Sequence, residues 1–182
     1  MGYAVAQAAQ QRGAEVFLVS GPTALDAPAG VRRIDVRSAA QMKEAVLQLY
    51  SEMDIVVKAA AVADYRPAEM AAQKIKKGND SKTLVLERTD DILEQLGKEK
   101  KRQCLIGFAA ETEHVMEHAL DKLKKKNIDL LVANDVSRGV FGEDSSTVHI
   151  LNRAGEPITL QNQSKLAIAG KLLDLALAMK RK

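Results

Sequence analysis

The spacing of apolar positions changes several times along the 182-residue chain, and each change predicts an element. "MGYAVAQAAQQRG" is rich in Ala and Gln and ends at a Gly suited to a helix C-terminus, so it predicts a helix from almost the first residue. "AEVFLVSGP" is a short β-rich run stopped by Gly-Pro, and "VRRIDVRS" alternates apolar residues at Val31, Ile34 and Val36, so both predict strands. "SAAQMKEAVLQLYSE" combines a cap residue, Ser38, with helical spacing of Met42, Val46 and Leu49. "DIVVKAAAVA" has the continuous apolar character of a parallel strand covered on both faces and is expected in the middle of a sheet.

The second half continues the alternation. "KTLVLERT" predicts a strand, "DDILEQLGKEKK" a helix with acids in its first turn, and "QCLIGFAAE" a buried strand. "TEHVMEHALDKLKKKN" sets Val115, Ala119 and Leu123 on one stripe, with acids early and lysines late, as a stable helix requires. "DLLVAND" predicts a further buried strand. "STVHILN" and "EPITLQ", joined through "RAGE", predict an antiparallel hairpin, and Ser164 is placed to cap the closing helix "KLAIAGKLLDLALAMKRK". The pattern implies an α/β fold of a single domain over 1–182: a doubly wound, mainly parallel sheet with right-handed crossovers and a C-terminal antiparallel hairpin.

Composition narrows the function classes. The net charge of +3 is spread over "KIKK", "KEKKR", "KLKKK" and "KRK", and the 3% aromatic content without Trp leaves few rings for stacking bases, which argues against a nucleic-acid ligand. The single Cys104 lies among apolar neighbours, so the expectation is a buried, inert thiol in a reducing cytoplasm. No run reaches the ~18 apolar residues of a membrane span.

Ligands of doubly wound sheets bind beyond the carboxyl ends of the strands. That rule brings together "SGPT", "AAVADYRP", "GFAAET" and "ANDVS". Asp64 follows a strand end and precedes Tyr65-Arg66-Pro67, where the proline keeps Arg66 extended; it either caps a loop or faces a ligand. The small side chains around Ala60 and Ala61 let a planar base approach the backbone, or simply allow tight packing. Lys74, Lys76 and Lys77 form a solvated charge run unless the chain folds back over the exit of Asp64. Lys122 and Lys126 share a helix face, Phe108 offers one ring, and Asp90 and Asp91 open a helix whose free N–H groups can receive an oxygen. With no Walker A and no G-x-G-x-x-G, a phosphate ligand would depend on lysines, helix ends and a metal ion. "HVMEH" matches a short zinc pattern, but no third ligand follows and the Val115-Ala119-Leu123 stripe accounts for the helix.

At "AAAVADYRP", "KIKK", "GFAAET" and "KKKNIDLLVANDVS", in that order, the chain resembles the bacterial phosphopantothenate-cysteine ligase family over essentially its whole length. The resemblance implies a Rossmann-like domain that dimerises, is often fused to a flavin-dependent decarboxylase, and joins 4'-phosphopantothenate to L-cysteine. It implies Mg²⁺ and CTP, which activates the carboxylate as an acyl-cytidylate; eukaryotic relatives commonly use ATP. By the same resemblance Lys74 is catalytic. Ala60, Ala61, Asp64, Lys74, Asp90, Asp91, Ile92, Leu93, Phe108, Lys122 and Lys126 contact the nucleotide, with no residue assigned to a metal. Where relatives often carry Asn-Pro-Asp-Ile this chain has Thr89-Asp90-Asp91-Ile92, so backbone contacts are the ones expected to persist there. Family members also carry a Gly-rich strand and loop ahead of the counterpart of "MGYAVAQAAQQRG", and the expectation is that this first strand is missing here. Two other readings stay open: a non-catalytic nucleotide-binding or dimerisation module, and a Rossmann-type oxidoreductase, which the absent glycine fingerprint argues against.

Overall fold

The computed structural model describes residues 1–69, 71–76, 81, 83–111, 115–135, 145–153 and 157–180. Its elements run α1 (Gly2–Gln11), β1 (Phe17–Ser20), β2 (Arg32–Asp35), α2 (Ala39–Tyr50), β3 (Ile55–Lys58), β4 (Tyr65–Pro67) and β5 (Leu86–Arg88). They continue α3 (Ile92–Glu99), β6 (Cys104–Glu111), α4 (Val115–Lys125), β7 (Leu130–Asp135), β8 (Ser145–Asn152), β9 (Ile158–Ser164) and α5 (Lys165–Lys180). The caps anticipated from the sequence form: the Ser38 hydroxyl accepts the Gln41 N–H at 3.2 Å, and Ser164 accepts that of Ala167 at 3.2 Å.

The main sheet is mixed, with order β3-β6-β7-β8-β9. The first two pairings are parallel and the last two antiparallel, and β8 and β9 form the expected hairpin. Helices cover both faces. On one face, Val5 and Ala8 of α1 and Ile168, Leu172 and Ala176 of α5 pack on Cys104, Ile106, Leu130 and Val132. On the other, Tyr50 of α2, Leu93 and Leu96 of α3 and Leu123 of α4 pack on Leu105, Ala109, Leu131 and Ala133. Residues of one strand thus alternate between two apolar layers, as period two demands. Among the described residues no helix is long and apolar enough to cross a membrane.

Three sequence expectations are corrected by the pairing. β1 and β2 pair in parallel as a separate two-stranded sheet, so the parallel array is divided in two. β3 covers only Ile55–Lys58 and lies at an edge of the main sheet, where a central position was expected. Its apolar character has a different cause: Val56 packs against the α2/α3 layer and Ile55 and Val57 against the α1/α5 layer, so both faces are covered although one edge pairs with no strand among the described residues. That edge borders a cavity of about 680 Å³, lined by Val5 and Ala6, the whole of β1, Met42 and Val46, and the whole of β3. Finally, "KTLVLERT" is strand only at Leu86–Arg88, paired antiparallel with Tyr65–Pro67 in a ribbon outside the main sheet. Its apolar residues do not enter the core: Leu84, Val85 and Leu86 are 64%, 67% and 52% exposed.

Cys104 is buried in the sheet, and burial, reinforced by the negative charge of Asp129, pushes its thiol up to about 11. At pH 8 only about one thiol in a thousand would be ionised, so the native protein should not react with a thiol-specific disulfide reagent until denaturant is added. Rapid labelling of the folded protein at that pH would show that the strand is not packed as described.

Candidate functional site

The carboxyl ends of β3, β6 and β7 open on the same side because the strands are parallel. Lys58 lies opposite Gly107, while Phe108 to Glu111 continue past the end of β3 beside Val132 to Asp135. Gly107 permits this geometry on the α3 side: a Cβ there would stand 2.9 Å from Leu93 Cδ2 and 3.2 Å from Ile128 Cδ1. Phe108 points to the opposite, α1/α5 face and is half-buried against that core.

Beyond β3 the chain passes through Ala60, Ala61 and Asp64, all exposed, into the β4–β5 ribbon. The base of the ribbon is pinned. Thr89 donates its backbone N–H to Asp64 O at 2.9 Å and its hydroxyl to Ala63 O, returning the chain to the strand exit it left 26 residues earlier. Asp90 and Asp91 are thereby delivered beside Asp64.

The two aspartates then diverge. Asp90 pairs with Lys43 of α2 at 2.8 Å and is held below the ordinary carboxylate range first by that hydrogen bond. Asp91 caps α3, accepting the Glu94 N–H on Oδ1 at 3.0 Å, while Oδ2 accepts from Lys126 Nζ at 2.5 Å. Burial alone would raise its carboxyl, but the Lys126 hydrogen bond, the Glu94 N–H and the charges of Lys126 and Lys58 outweigh it and hold the group low. Lys126 is in place because α4 ends against α3 without a side chain between them: a Cβ on Gly97 would sit 1.8 Å from Lys126 O. Asn127, at φ 49°, turns the chain there and donates to Gly97 O at 2.8 Å.

Of the residues singled out in the sequence, Asp91 and Lys126 are joined directly, and these two together with Asp64 and Lys122 lie near enough for their charges to act on the Lys58 ammonium. Ile92 and Leu93 are only 4% and 3% exposed, so their side chains belong to the core and only their backbone can face a ligand. Lys74 and Lys76 are exposed, and among the described residues no ion pair joins Lys74 to Asp64; Lys77 lies outside the described residues. So do His114 of "HVMEH" and the side chains of Val115, His118 and Ala119. Among the described residues no group of three or more His, Cys, Asp or Glu could hold a metal ion. The residues that sequence reasoning passed over are Lys43 and Lys58. For Lys58 the signal was present, a lone lysine inside the apolar run "DIVVKAAAVA".

Residues 1–179 match the family of the DNA/pantothenate metabolism flavoprotein C-terminal domain. The chain belongs to this family. It is 48% identical over 184 residues to the coenzyme A biosynthesis bifunctional protein CoaBC of Bacillus subtilis, matching 100% of this chain and 45% of that protein. It is 42% identical to the protein of the same name from Haemophilus influenzae, over 96% of this chain and 44% of that one. The chain thus spans less than half the length of these curated relatives. The crystal structure of the C-terminal domain of a coenzyme A biosynthesis bifunctional protein CoaBC superposes with a TM-score of 0.84 at 42% identity, covering 100% of this chain and 83% of that one. Over its whole length this chain therefore shares its α/β fold with a solved member of the family.

Asp91 links the helix cap to the lysine cluster, and its loss should be measurable. Asp91→Ala is expected to cost about 1 kcal/mol at pH 7 by removing the cap. Because the folded-state carboxyl sits below its ordinary value, this stabilisation is complete above the unfolded value of about 3.9 and is lost as pH falls through the folded one. Urea titrations of both proteins should therefore converge below about pH 4; a constant gap into strong acid would rule out the carboxylate as its source.

Proposed function

We propose that the chain is the domain that ligates 4'-phosphopantothenate to L-cysteine, using CTP to activate the carboxylate. The observation that carries this reading is the convergence of Lys58, Lys122 and Lys126 with Asp64 and Asp91 at parallel strand exits, within a chain whose relatives are coenzyme A biosynthesis proteins. Lys58 makes no ion pair with a described residue, and Asp91, the carboxylate acting on it most strongly, is committed to a helix cap and to Lys126. An anionic ligand would give that ammonium a counter-charge, and the exposed Ala60 and Ala61 leave backbone N–H and C=O groups open to a base.

The chemistry would run in two steps. The carboxylate oxygen of phosphopantothenate attacks the α-phosphorus of CTP and pyrophosphate departs; the cysteine amine then attacks the acyl carbon, forming the amide as CMP leaves and the ammonium proton is lost. Negative charge grows on the phosphoryl oxygens and the leaving group in the first step, where a cation stabilises the transition state more than the ground state. Lys74 takes that role in our reading. It stands in the segment between β4 and β5, whose base is pinned at Asp64 and Thr89, so its action requires this segment to fold over the exits. Mg²⁺ typically binds through one or two carboxylates, substrate phosphates and retained waters, and the exposed Asp64, without any dedicated acidic cage among the described residues, fits that donor set. Bound with the triphosphate, the ion would neutralise phosphate charge. The remaining polar residues orient: Asp91 fixes Lys126, and Lys43 fixes Asp90.

Homodimer formation, fusion to a flavoprotein decarboxylase and a cytoplasmic location belong to the same reading. The exposed Tyr65, Leu84, Val85 and Leu86 on and beside the ribbon are a surface that a second copy could cover. In this reading a further parallel strand from a preceding segment lies in the cavity between β1 and β3, which fits because among the described residues each bordering strand has an unpaired edge there and the lining is largely apolar. Such a strand would unite the two parallel sheets into one doubly wound, Rossmann-like array.

Mixed with CTP, Mg²⁺ and phosphopantothenate, the protein should release pyrophosphate, and Lys74→Gln should lower that rate on the order of a hundredfold, about 3 kcal/mol, without changing the melting temperature. Undiminished release by the variant removes Lys74 from the mechanism. For the strand, hydrogen exchange with and without the upstream segment should show new protection at Phe17–Ser20 and Ile55–Lys58. Equal exchange in both leaves the cavity without a strand.

A further inference from the structure

Lys58 ends β3 on the face that packs toward α3 and α4, since Val56, two residues earlier, belongs to that apolar layer and period two carries the direction forward. It is half-buried, and no hydrogen bond or ion pair to a described residue engages its ammonium. Four charges from the surrounding elements act on it: Asp91 at the start of α3, Lys126 and Lys122 from α4 and its end, and Asp64 from the turn into β4. Asp91 is the strongest attraction, yet its oxygens accept from the Glu94 N–H and from Lys126 while no hydrogen bond joins it to Lys58. An ammonium withdrawn from water without a carboxylate of its own is a costly arrangement. It becomes favourable when an anion arrives with free oxygen lone pairs.

We propose that Lys58 is a phosphate-binding residue of the nucleotide site, reaching up from the floor of the strand exit to the triphosphate between Asp64 and the α4 lysines. The proposal deepens the ligase reading and rests on it for the identity of the nucleotide; the anion site itself does not depend on that identity. Burial, the larger influence, and the nearby Lys126 and Lys122 charges hold the Lys58 ammonium below the ordinary lysine range despite Asp91 and Asp64, the condition of a cation awaiting a counter-charge. Lys122 and Lys126 reach the site from α4 and its end, whereas Lys58 rises from the end of a strand, a position suited to setting the depth at which the phosphates stop.

The test combines kinetics with direct binding on the protein carrying this chain. Lys58→Gln should raise KM for CTP about 10- to 100-fold, the usual effect of losing one hydrogen bond to a charged group, while KM for phosphopantothenate and the melting temperature stay unchanged. Lys58→Arg should recover most of the loss. Lys58→Met, which keeps the aliphatic stem, replaces the Gln variant if that one melts lower. Calorimetric titration with inorganic triphosphate should show the same weakening in Lys58→Gln. Unchanged CTP KM and unchanged triphosphate affinity would overturn the proposal. If the unsubstituted protein releases no pyrophosphate from CTP yet binds triphosphate through Lys58, the ligase reading falls and the anion site stands. If it does not bind triphosphate, the anion site falls too.

Discussion

Ammonium groups held partly out of water at the ends of parallel strands are the feature around which this molecule is arranged. Each one withdrawn from solvent costs hydration free energy, and the cost is met only when a carboxylate or a ligand oxygen stands close by. Lys126 has Asp91 and Lys43 has Asp90, while among the described residues Lys58 has no ion pair and feels only the shared attraction of Asp91 and Asp64. In the proposed function a triphosphate supplies its counter-charge.

The positions of those groups depend on close backbone packing some distance away. Gly97 allows the end of α4 to rest on α3, and Gly107 lets Leu93 and Ile128 close over β6. Tyr50, almost fully buried, donates its hydroxyl to Leu96 O at 2.7 Å and accepts on its own carbonyl from Gln103, tying α2 to α3 and to the start of β6. Burial, followed by the charges of Asp129 and Glu99, pushes the Tyr50 phenol up to about 12, so it stays a donor at any ordinary pH. These contacts contribute no chemistry; they keep Asp91 and Lys126 within hydrogen-bonding distance. At the opposite ends of the strands Asp129 does comparable work, accepting from Lys100 at 2.7 Å and from the Leu105 N–H at 2.8 Å.

The proposed site draws on two kinds of structure, an exposed excursion and the ends of packed elements. Asp64 stands where the chain leaves the sheet, and the hydrogen bonds of Thr89 bring it back to the same place. Lys74 lies between these anchors, and it and its described neighbours at 71–76 are exposed. A cation that must act only when the reacting atoms are assembled is well carried by such a segment, whereas cations that select and seat the ligand are better fixed by strand and helix.

Periodicity, caps and strand-exit rules made much of this legible before any coordinates. The positions of α1 to α5, the caps at Ser38 and Ser164, the β8–β9 hairpin and the grouping of "AAVADYRP" with "GFAAET" all follow from local chemistry and one topological rule. Pairing did not follow. The run "DIVVK" is equally apolar at a sheet centre or beside an apolar cavity, and "TLVLER" has a strand's composition whether it enters the core or forms an exposed ribbon. Nor could the sequence tell that Ile92 and Leu93 turn inward while Asp91 turns to Lys126, or that Lys58 shares their space. Residue type sets which groups can bond and how the local backbone repeats. Which of them meet, across 35 residues between Asp91 and Lys126, is decided only when distant segments pack and exclude water.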